Sequence, residues 1–524
     1  MEPDRPYFIQ QVKDEFEMKK YAILIVIPVL WIFISCESEE LQDRPPNIVL
    51  FLVDDMGWQD TSVPFWTERT PFNDRYRTPN MERLASEGMK FTQAYAMPVC
   101  SPSRVSLMTG MNAARHRVTN WTLRKDSLQP MEKNHDSLEF PFWNVNGLSP
   151  HAGDSLAVHA MPLPQALHDI GYYTVHAGKA HLGAIGTLGA DPLNLGFDVN
   201  IAGHAAGAPG SYLGTENFGN GKESREVWAV PGLEKYHGED IFLTEAITRK
   251  ALAALASVAT APQPFFLYMS HYAVHTPIMG DGRFVQKYHE MGLDSVEARY
   301  ASMVEGMDKS LGDIMDFLEE KDIADDTIIL FMSDNGGLSV HSRGGEPNTH
   351  NEPLASGKGS MYEGGIREPM LVKWPGTTEP GSVSQHQVII EDFYPTILEM
   401  AGIDSLRTVQ KTDGQSFVNA LTGEKGYTGV RPLFWHYPNE WGPDAPGAGA
   451  ASTVRKGDWK FIYFHADRRR ELYNLKEDIG ESTNLVEENP EKTRELAKVL
   501  SDYLKNVDAQ MPVDKRTGEK VEYP

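Results

Sequence analysis

Cys100 opens the run Cys100-Ser101-Pro102-Ser103-Arg104, and the 524-residue chain contains one other cysteine, Cys36. A lone cysteine reads as a small buried thiol as readily as a nucleophile, because free cysteine is among the most buried residue types. Its neighbours point toward chemistry. Pro102 and Ser103 prepare a helix start, with Arg104 in its first turn and apolar Val105, Leu107 and Met108 following. The thiol then stands where free backbone N–H groups and the helix dipole favour an anion. Two pairs of hard oxygen donors lie elsewhere, Asp54-Asp55 and Asp334-Asn335. Such donors suit Ca²⁺ first and Mg²⁺ second, whereas zinc would call for His and Cys. One Asp-Asp alone is as well explained by a solvated strand end or a helix cap, but a second pair placed the same way favours metal. Lys179, His181, His275 and Lys358 read singly as surface lysines and core histidines; together they add cations and proton carriers.

Something must bring these residues together. Asn47-Ile48-Val49-Leu50-Phe51-Leu52-Val53 is an unbroken apolar run, the mark of a strand buried on both faces, and it stops at Asp54-Asp55. The pattern recurs three times. Tyr172 to Val175 runs toward Lys179 and His181, Phe265 to Met269 toward His271 and His275, and Thr327 to Met332 toward Asp334-Asn335. Each strand delivers polar groups at its carboxyl end, the edge where open α/β sheets bind ligands. Helical patterns intervene. One starts at Thr78-Pro79 and stops at Gly88, and others run near 240–256, 298–320 and 391–401. Alternating strands and helices predict an α/β fold with a large mixed sheet sandwiched by helices. Residues 126–154 and 202–221 are rich in Gly, Asn and Pro and read as excursions that shape a pocket. Beyond Arg431, short strands at 453–455, 459–464 and 471–475 and a helix at 490–506 predict a smaller C-terminal α+β domain, with Arg468-Arg469-Arg470 as a solvated hairpin turn. The expected division is a catalytic part over 47–425 and a C-terminal part over 426–524.

Cys100-Ser101-Pro102-Ser103-Arg104, continued by Ser106-Leu107-Met108-Thr109-Gly110, resembles the signature of the type I sulfatases, members of the alkaline-phosphatase superfamily. Other segments match that family in order: Asp54-Asp55-Met56-Gly57, Gly178-Lys179-Ala180-His181-Leu182-Gly183, His275-Thr276-Pro277, Asp334-Asn335-Gly336-Gly337, and Gly357-Lys358-Gly359 through Arg367-Glu368-Pro369. The resemblance implies an alkaline-phosphatase-like fold and a sulfuric ester hydrolase. It further implies that Cys100 is oxidised to formylglycine by a formylglycine-generating or anaerobic sulfatase-maturating enzyme, and that Asp54, Asp55, Asp334, Asn335 and residue 100 hold Ca²⁺. In the implied mechanism Lys179 and Lys358 hold sulfate oxygens and Arg104 orients the modified residue. One hydroxyl of the aldehyde hydrate attacks sulfur while His275, with Lys358, protonates the leaving alcohol; His181 then takes the proton of the second hydroxyl and the aldehyde returns. The alternatives are a phosphomonoester or phosphonate hydrolase of the same superfamily and a non-catalytic glycan-binding lipoprotein.

Composition sets the surroundings. A formal net charge of −24 argues against nucleic acid as a partner and requires a locally basic pocket for an anionic ester. Met18-Lys19-Lys20, the apolar run from Tyr21 to Ile34, and Ser35 before Cys36 read as a bacterial signal peptide of the lipoprotein type, with Met18 a more natural start than Met1. The run of about 14 apolar residues is shorter than the roughly 20 that a membrane span needs. The expectation is an exported protein, lipid-anchored through Cys36 to the outer membrane on its periplasmic or cell-surface side, with residues 36–46 as linker. Its substrate would be a sulfated polysaccharide or oligosaccharide, with an algal polymer such as ulvan, carrageenan or fucoidan favoured over host glycosaminoglycans. Arg124, Lys125, His341, Arg343, His350 and His436 are candidates for gripping the sugar.

Overall fold

Along Asn47–Val53 (β1) successive side chains enter opposite hydrophobic cores: Ile48, Leu50 and Leu52 pack into one, Val49, Phe51 and Val53 into the other. With apolar residues at each of the six positions from Ile48 to Val53 the strand has no face for water, and so takes the middle of a sheet covered on both sides. The computed structural model describes residues 44–128, 135–219, 223–339, 343–403, 407–423 and 430–524. The signal region, Cys36 with most of its linker, His341 and the expected boundary at 425/426 lie outside the described residues.

The further strands of this sheet are Met89–Tyr95 (β2), Tyr173–Gly178 (β3), Val199–Ile201 (β4), Phe265–Ser270 (β5), Thr327–Ser333 (β6), Arg367–Lys373 (β7), Ser382–Ser384 (β8) and Val388–Ile389 (β9). Their spatial order is β8-β2-β7-β6-β1-β5-β3-β4, with β9 also on β2. β6, β1, β5, β3 and β4 run parallel, and β7 is antiparallel to both β6 and β2, so the sheet is mixed. β6, β1, β5 and β3 are consecutive neighbours. Four of the polar-ended strands foreseen from the sequence thus finish side by side.

One face of the sheet is covered by Pro79–Glu87 (α1), Leu243–Ala256 (α4) and Ser295–Glu320 (α5), which contribute Met81, Leu84, Leu243, Ile247, Leu311 and Ile314 to the core. The other is covered by Cys100–Thr109 (α2), Leu163–Asp169 (α3) and Phe393–Met400 (α6). The large mixed sheet between helices agrees with the sequence expectation. A four-stranded antiparallel sheet follows in the chain, made of Pro432–Tyr437 (β10), Ala451–Lys456 (β11), Trp459–Phe464 (β12) and Arg470–Asn474 (β13), backed by Pro490–Asn506 (α7). Leu433, Trp435 and Ile462 on one face of this small sheet join the core around α2, while Val454, Phe461 and Leu472 pack with Leu496, Leu500 and Leu504 of α7. Residues 45–524 form one compact unit. No helix among the described residues is long and apolar enough to cross a membrane.

Candidate active site

Helix α2 starts at Cys100 itself, two residues earlier than the sequence suggested. Val99, in extended conformation, is its N-cap, which moves Arg104 from the first turn to the second. The reason is local: Ser103 Oγ accepts from Met97 N–H at 2.9 Å and donates to Val99 O at 3.3 Å, so the side chain expected to open the helix instead ties down its approach. Every residue of α2 is buried. Cys100 is therefore held at a helix N-terminus inside the protein, and not on an exposed turn.

Around it stand the ends of the central strands. Backbone hydrogen bonds carry the sheet past its last residues, Asp334 N to Val53 O at 3.0 Å and Asp54 N to Ala273 O at 3.0 Å, so Asp54 and Asp334 are fixed by the ladder. Asp55 and His181 turn away with positive φ (61° and 52°), a conformation side chains seldom adopt and which persists here because neighbours over-determine it. Arg104 donates from Nε to Asp334 Oδ2 at 2.8 Å and from Nη1 to Lys179 O at 3.0 Å and Ser270 Oγ at 2.5 Å. One guanidinium thereby locks the ends of β6, β3 and β5 together. Lys179 Nζ lies 2.7 Å from Asp54 Oδ2, and Lys358 Nζ 2.5 Å from Asp55 Oδ1, which also accepts from Asn335 Nδ2 at 2.8 Å.

Three buried carboxylates thus face three buried cations. Burial pushes the Asp54 carboxyl well above its usual range against the pull of Lys179, and Asp334 and Asp55 push it further. At Asp55 burial pushes the same way, but Lys358 and His275 overcome it and hold that group low. Asp54 Oδ1 and Asn335 Oδ1 are buried without a hydrogen-bond partner among the described residues, and Asp54, Asp55 and His275 bring ligand atoms within 4.8 Å of one another. Orphaned oxygens converging beside paired carboxylates fit a hard divalent cation. The donor set therefore suits a hard divalent metal ion, as inferred from the sequence.

Cys100 Sγ is 3.3 Å from His181 Nδ1, whose other nitrogen donates to Thr122 O at 2.8 Å. That bond places the proton on Nε2 and leaves Nδ1 as an acceptor facing residue 100. Burial pushes the Cys100 thiol up, with Lys179 and Lys358 opposing, so the unmodified residue stays a protonated thiol and a poor nucleophile. Across the cavity His275 donates from Nδ1 to Thr276 O at 2.8 Å and presents Nε2 3.7 Å from Asp55 Oδ2. Burial lowers its pKa to about 3, helped by Lys358 and opposed by Asp55. Tyr212 Oη fixes the segment by donating to Tyr272 O at 2.6 Å and His275 O at 2.9 Å. Cys100, His181, His275, Lys358 and Asp55 form the floor of a cavity of about 550 Å³.

All the site residues expected from the sequence that bear metal-ligand or catalytic side chains, Asp54, Asp55, Cys100, Arg104, Lys179, His181, His275, Asp334, Asn335 and Lys358, converge on this one place. The sugar-gripping candidates among the described residues do not. Arg343 is buried, its Nη1 3.1 Å from Asp60 Oδ2 and its guanidinium stacked 3.7 Å from the Tyr300 ring centroid, because a desolvated guanidinium needs its own carboxylate and found one below the surface. His436 bridges Ser452 and Gln510 inside the small sheet, and His350 bonds Gly344 O at 2.5 Å. Arg124 and Lys125 are exposed and do not line the cavity. His271 turns from the site to Ser310 Oγ at 2.8 Å on α5. Of the two excursions, 202–221 reaches the site, with Gly207 pressed so closely on the His181 ring that a Cβ would lie 2.3 Å from Cε1. The described part of 126–154 does not; it packs instead as short strands, Leu138–Glu139 against Val513–Asp514 and Gly147–Ser149 against Ala157–His159. Sequence reasoning missed Ser270, Thr122, and the wall residues Trp121, Trp228 and Trp441. Ser270 is legible as the polar last residue of an apolar strand; Trp121 and Trp441 sit in loops and Trp228 at the end of the short 3₁₀ helix Glu223–Trp228, none within a periodic pattern that gives a signal.

The sulfatase family matches residues 46–403, and the C-terminal family of N-sulphoglucosamine sulphohydrolase matches residues 356–510. A protein of Formosa agariphila described as a sulfatase is 29% identical over 97% of this chain and 98% of its own. The N-acetylgalactosamine-6-sulfatase of Canis lupus familiaris is 32% identical over 75% of this chain and 69% of its own. Among solved structures, Ps i-CgsB superposes with a TM-score of 0.70 at 25% identity, covering 89% of this chain and 94% of that one. The chain belongs to the type I sulfatase family and is a sulfuric ester hydrolase.

Proposed function

We propose that this sulfatase removes sulfate from a carbohydrate, using residue 100 as formylglycine and a bound Ca²⁺. The observation that carries the reading is the placement of Cys100 at the N-terminus of α2, 3.3 Å from the acceptor nitrogen of His181 and within electrostatic reach of Asp54 and Asp334. When bound, the cation supplies Lewis acidity toward the nucleophile and a sulfate oxygen. The aldehyde hydrate supplies two hydroxyls, one for attack on sulfur and one whose later loss of a proton expels sulfate, which a thiol or a serine could not do.

The side chains divide the remaining work. Lys179 and Lys358, each already against an aspartate, are poised to share their charge with sulfate oxygens as the ester spreads negative charge in the transition state. Arg104 keeps Asp334 in place and joins three strand ends, a positioning role. His181 accepts the proton of the second hydroxyl at Nδ1, the nitrogen its Thr122 bond leaves free. His275 protonates the departing sugar oxygen from Nε2; an anionic ester beside it, together with Asp55, raises its proton affinity against the burial and the Lys358 charge that lower it. N-Acetylgalactosamine-6-sulfatase among the relatives supports a carbohydrate ester. The lipoprotein-type start supports export by lipid anchor to the outer membrane, maturation by a formylglycine-generating or anaerobic sulfatase-maturating enzyme, and a polymeric substrate such as the algal polysaccharide ulvan or its oligosaccharides.

Mass spectrometry of active enzyme should show the peptide carrying residue 100 in the aldehyde form, and Cys100→Ala should lose all turnover while keeping its melting temperature. Full activity with only free thiol at Cys100, or in the alanine variant, would sink the mechanism.

A further inference from the structure

The cavity above residue 100 has a charged floor and an uncharged wall. Trp121, Trp228 and Trp441, together with Pro209, Pro277 and Leu338, line it above the floor. The three tryptophans are half-buried; Trp121 and Trp441 come from separate loops and Trp228 ends the 3₁₀ helix Glu223–Trp228. Among the described lining residues there is no arginine, Lys358 is the one amine, and Asp55 is the one carboxylate. Lys358 is committed to Asp55 and lies beneath the Trp441 ring, its Nζ 5.3 Å from the centroid. The two histidines are taken up by proton transfer at the reacting ester. No cation in the described wall remains for a second negative charge on the substrate, and the surrounding protein carries a net charge of −24.

We propose that this wall selects a sugar ring that bears one sulfate and no other anionic group, a neutral pyranose whose C–H face stacks on the indoles. The inference rests on the carbohydrate reading above. An indole offers a broad apolar face that suits the C–H side of a sugar, and small-ligand sites characteristically combine such walls with a few placed polar groups. A carboxylate or second sulfate in the same position would be stripped of water against tryptophan and proline with no countercharge among the described lining residues, a loss that neutral hydroxyls largely escape.

The test measures kcat/KM on pairs matched in sulfate position: a sulfated galactoside against the corresponding galacturonide, and monosulfated against disulfated N-acetylgalactosamine, with 4-nitrophenyl sulfate as a ring-independent control. The neutral, monosulfated member of each pair should be favoured by at least about 10²-fold, the scale set by burying an unpaired charge. Trp228→Arg, which adds a countercharge to the wall, should narrow that ratio about tenfold or more. Equal rates within the pairs on wild-type enzyme overturn the inference, as does an unchanged ratio in a Trp228→Arg protein that melts like the wild type. Turnover of 4-nitrophenyl sulfate without turnover of any sugar sulfate would overturn the carbohydrate reading itself and leave the sulfatase assignment standing.

Discussion

His275 and the orphaned oxygens of Asp54 and Asn335 show how much a single side chain decides here. His275 has its Nδ1 proton fixed on Thr276 O and its Nε2 beside Asp55 in the cavity lining, so that Nε2 is the nitrogen that takes up a second proton and gives it to a leaving oxygen once the ring is charged. Such help matters when the departing alkoxide is basic, as on a sugar, and little when an activated phenol leaves. His275→Ala should therefore lower turnover of a sugar sulfate by roughly 10²–10⁴-fold and of an aryl sulfate far less. Equal losses on both would assign His275 to sulfate binding and leave the donor role to Lys358. Removal of the cation acts on the same cluster from the other side. Three carboxylates brought together underground are stabilised by whatever binds the folded state alone, so a chelator should both inactivate the enzyme and lower its melting temperature, with Ca²⁺ restoring both better than Zn²⁺. A chelator-treated enzyme with unchanged activity and melting would rule out a divalent ion at these oxygens. Residue types were the most legible part of the site: hard oxygens, cations and imidazoles announced themselves by identity. Arg343 and His436 were misleading for the same reason, since identity does not say whether a charged group faces a cavity or a private partner such as Asp60.

At the level of elements, the site depends on strands ending in register. Gly178 closes β3 with φ 109°, and a Cβ there would meet Ser270 O at 1.8 Å, while the next residue, Lys179, donates its N–H to that same oxygen at 2.6 Å. Only a residue without a side chain lets β3 come close enough to β5 to aim Lys179 at Asp54. Gly178→Ala should cost about 1–3 kcal/mol of stability, by strain and by forcing the strands apart. It should also lower turnover on the order of 10²-fold by displacing Lys179. A shift in melting temperature within error of zero would show that the strand ends tolerate separation and that Lys179 is aimed by something else. The strands were legible because the interiors of β1, β5 and β6 are unbroken runs of apolar residues, a pattern that only burial on both faces explains. The start of α2 was not, because Pro102 and Ser103 are good opening residues and the bond from Met97 N–H to Ser103 Oγ that shifts the start depends on the preceding strand. β10 went unread for a related reason: its burial depends on Trp435 donating to Ala96 O at 2.8 Å across the interface with the large sheet, a partner far away in sequence.

The whole molecule sets an electrostatic problem that the site solves locally. With a net charge of −24 the body repels sulfated polymers, while the floor of the cavity balances Asp54, Asp55 and Asp334 with Lys179, Lys358 and Arg104, so that a divalent cation there would leave a local positive excess. Attraction is then short-ranged and repulsion long-ranged. Salt screens the second more than the first, because the Debye length falls from about 30 Å at 0.01 M to about 8 Å at 0.15 M, shorter than the span of the acidic surface but longer than the contacts inside the pocket. Raising ionic strength across this range should therefore increase kcat/KM for a polysulfated chain by roughly three- to tenfold, through a faster encounter, and change it little for a monosulfated sugar that carries a single charge into the cavity. The comparison of the two substrates isolates the body from the site, since both end in the same chemistry. A steady fall of kcat/KM with salt for the polymer would reveal a cationic track on the surface that guides the chain, and the acidic body would then have no say in substrate capture.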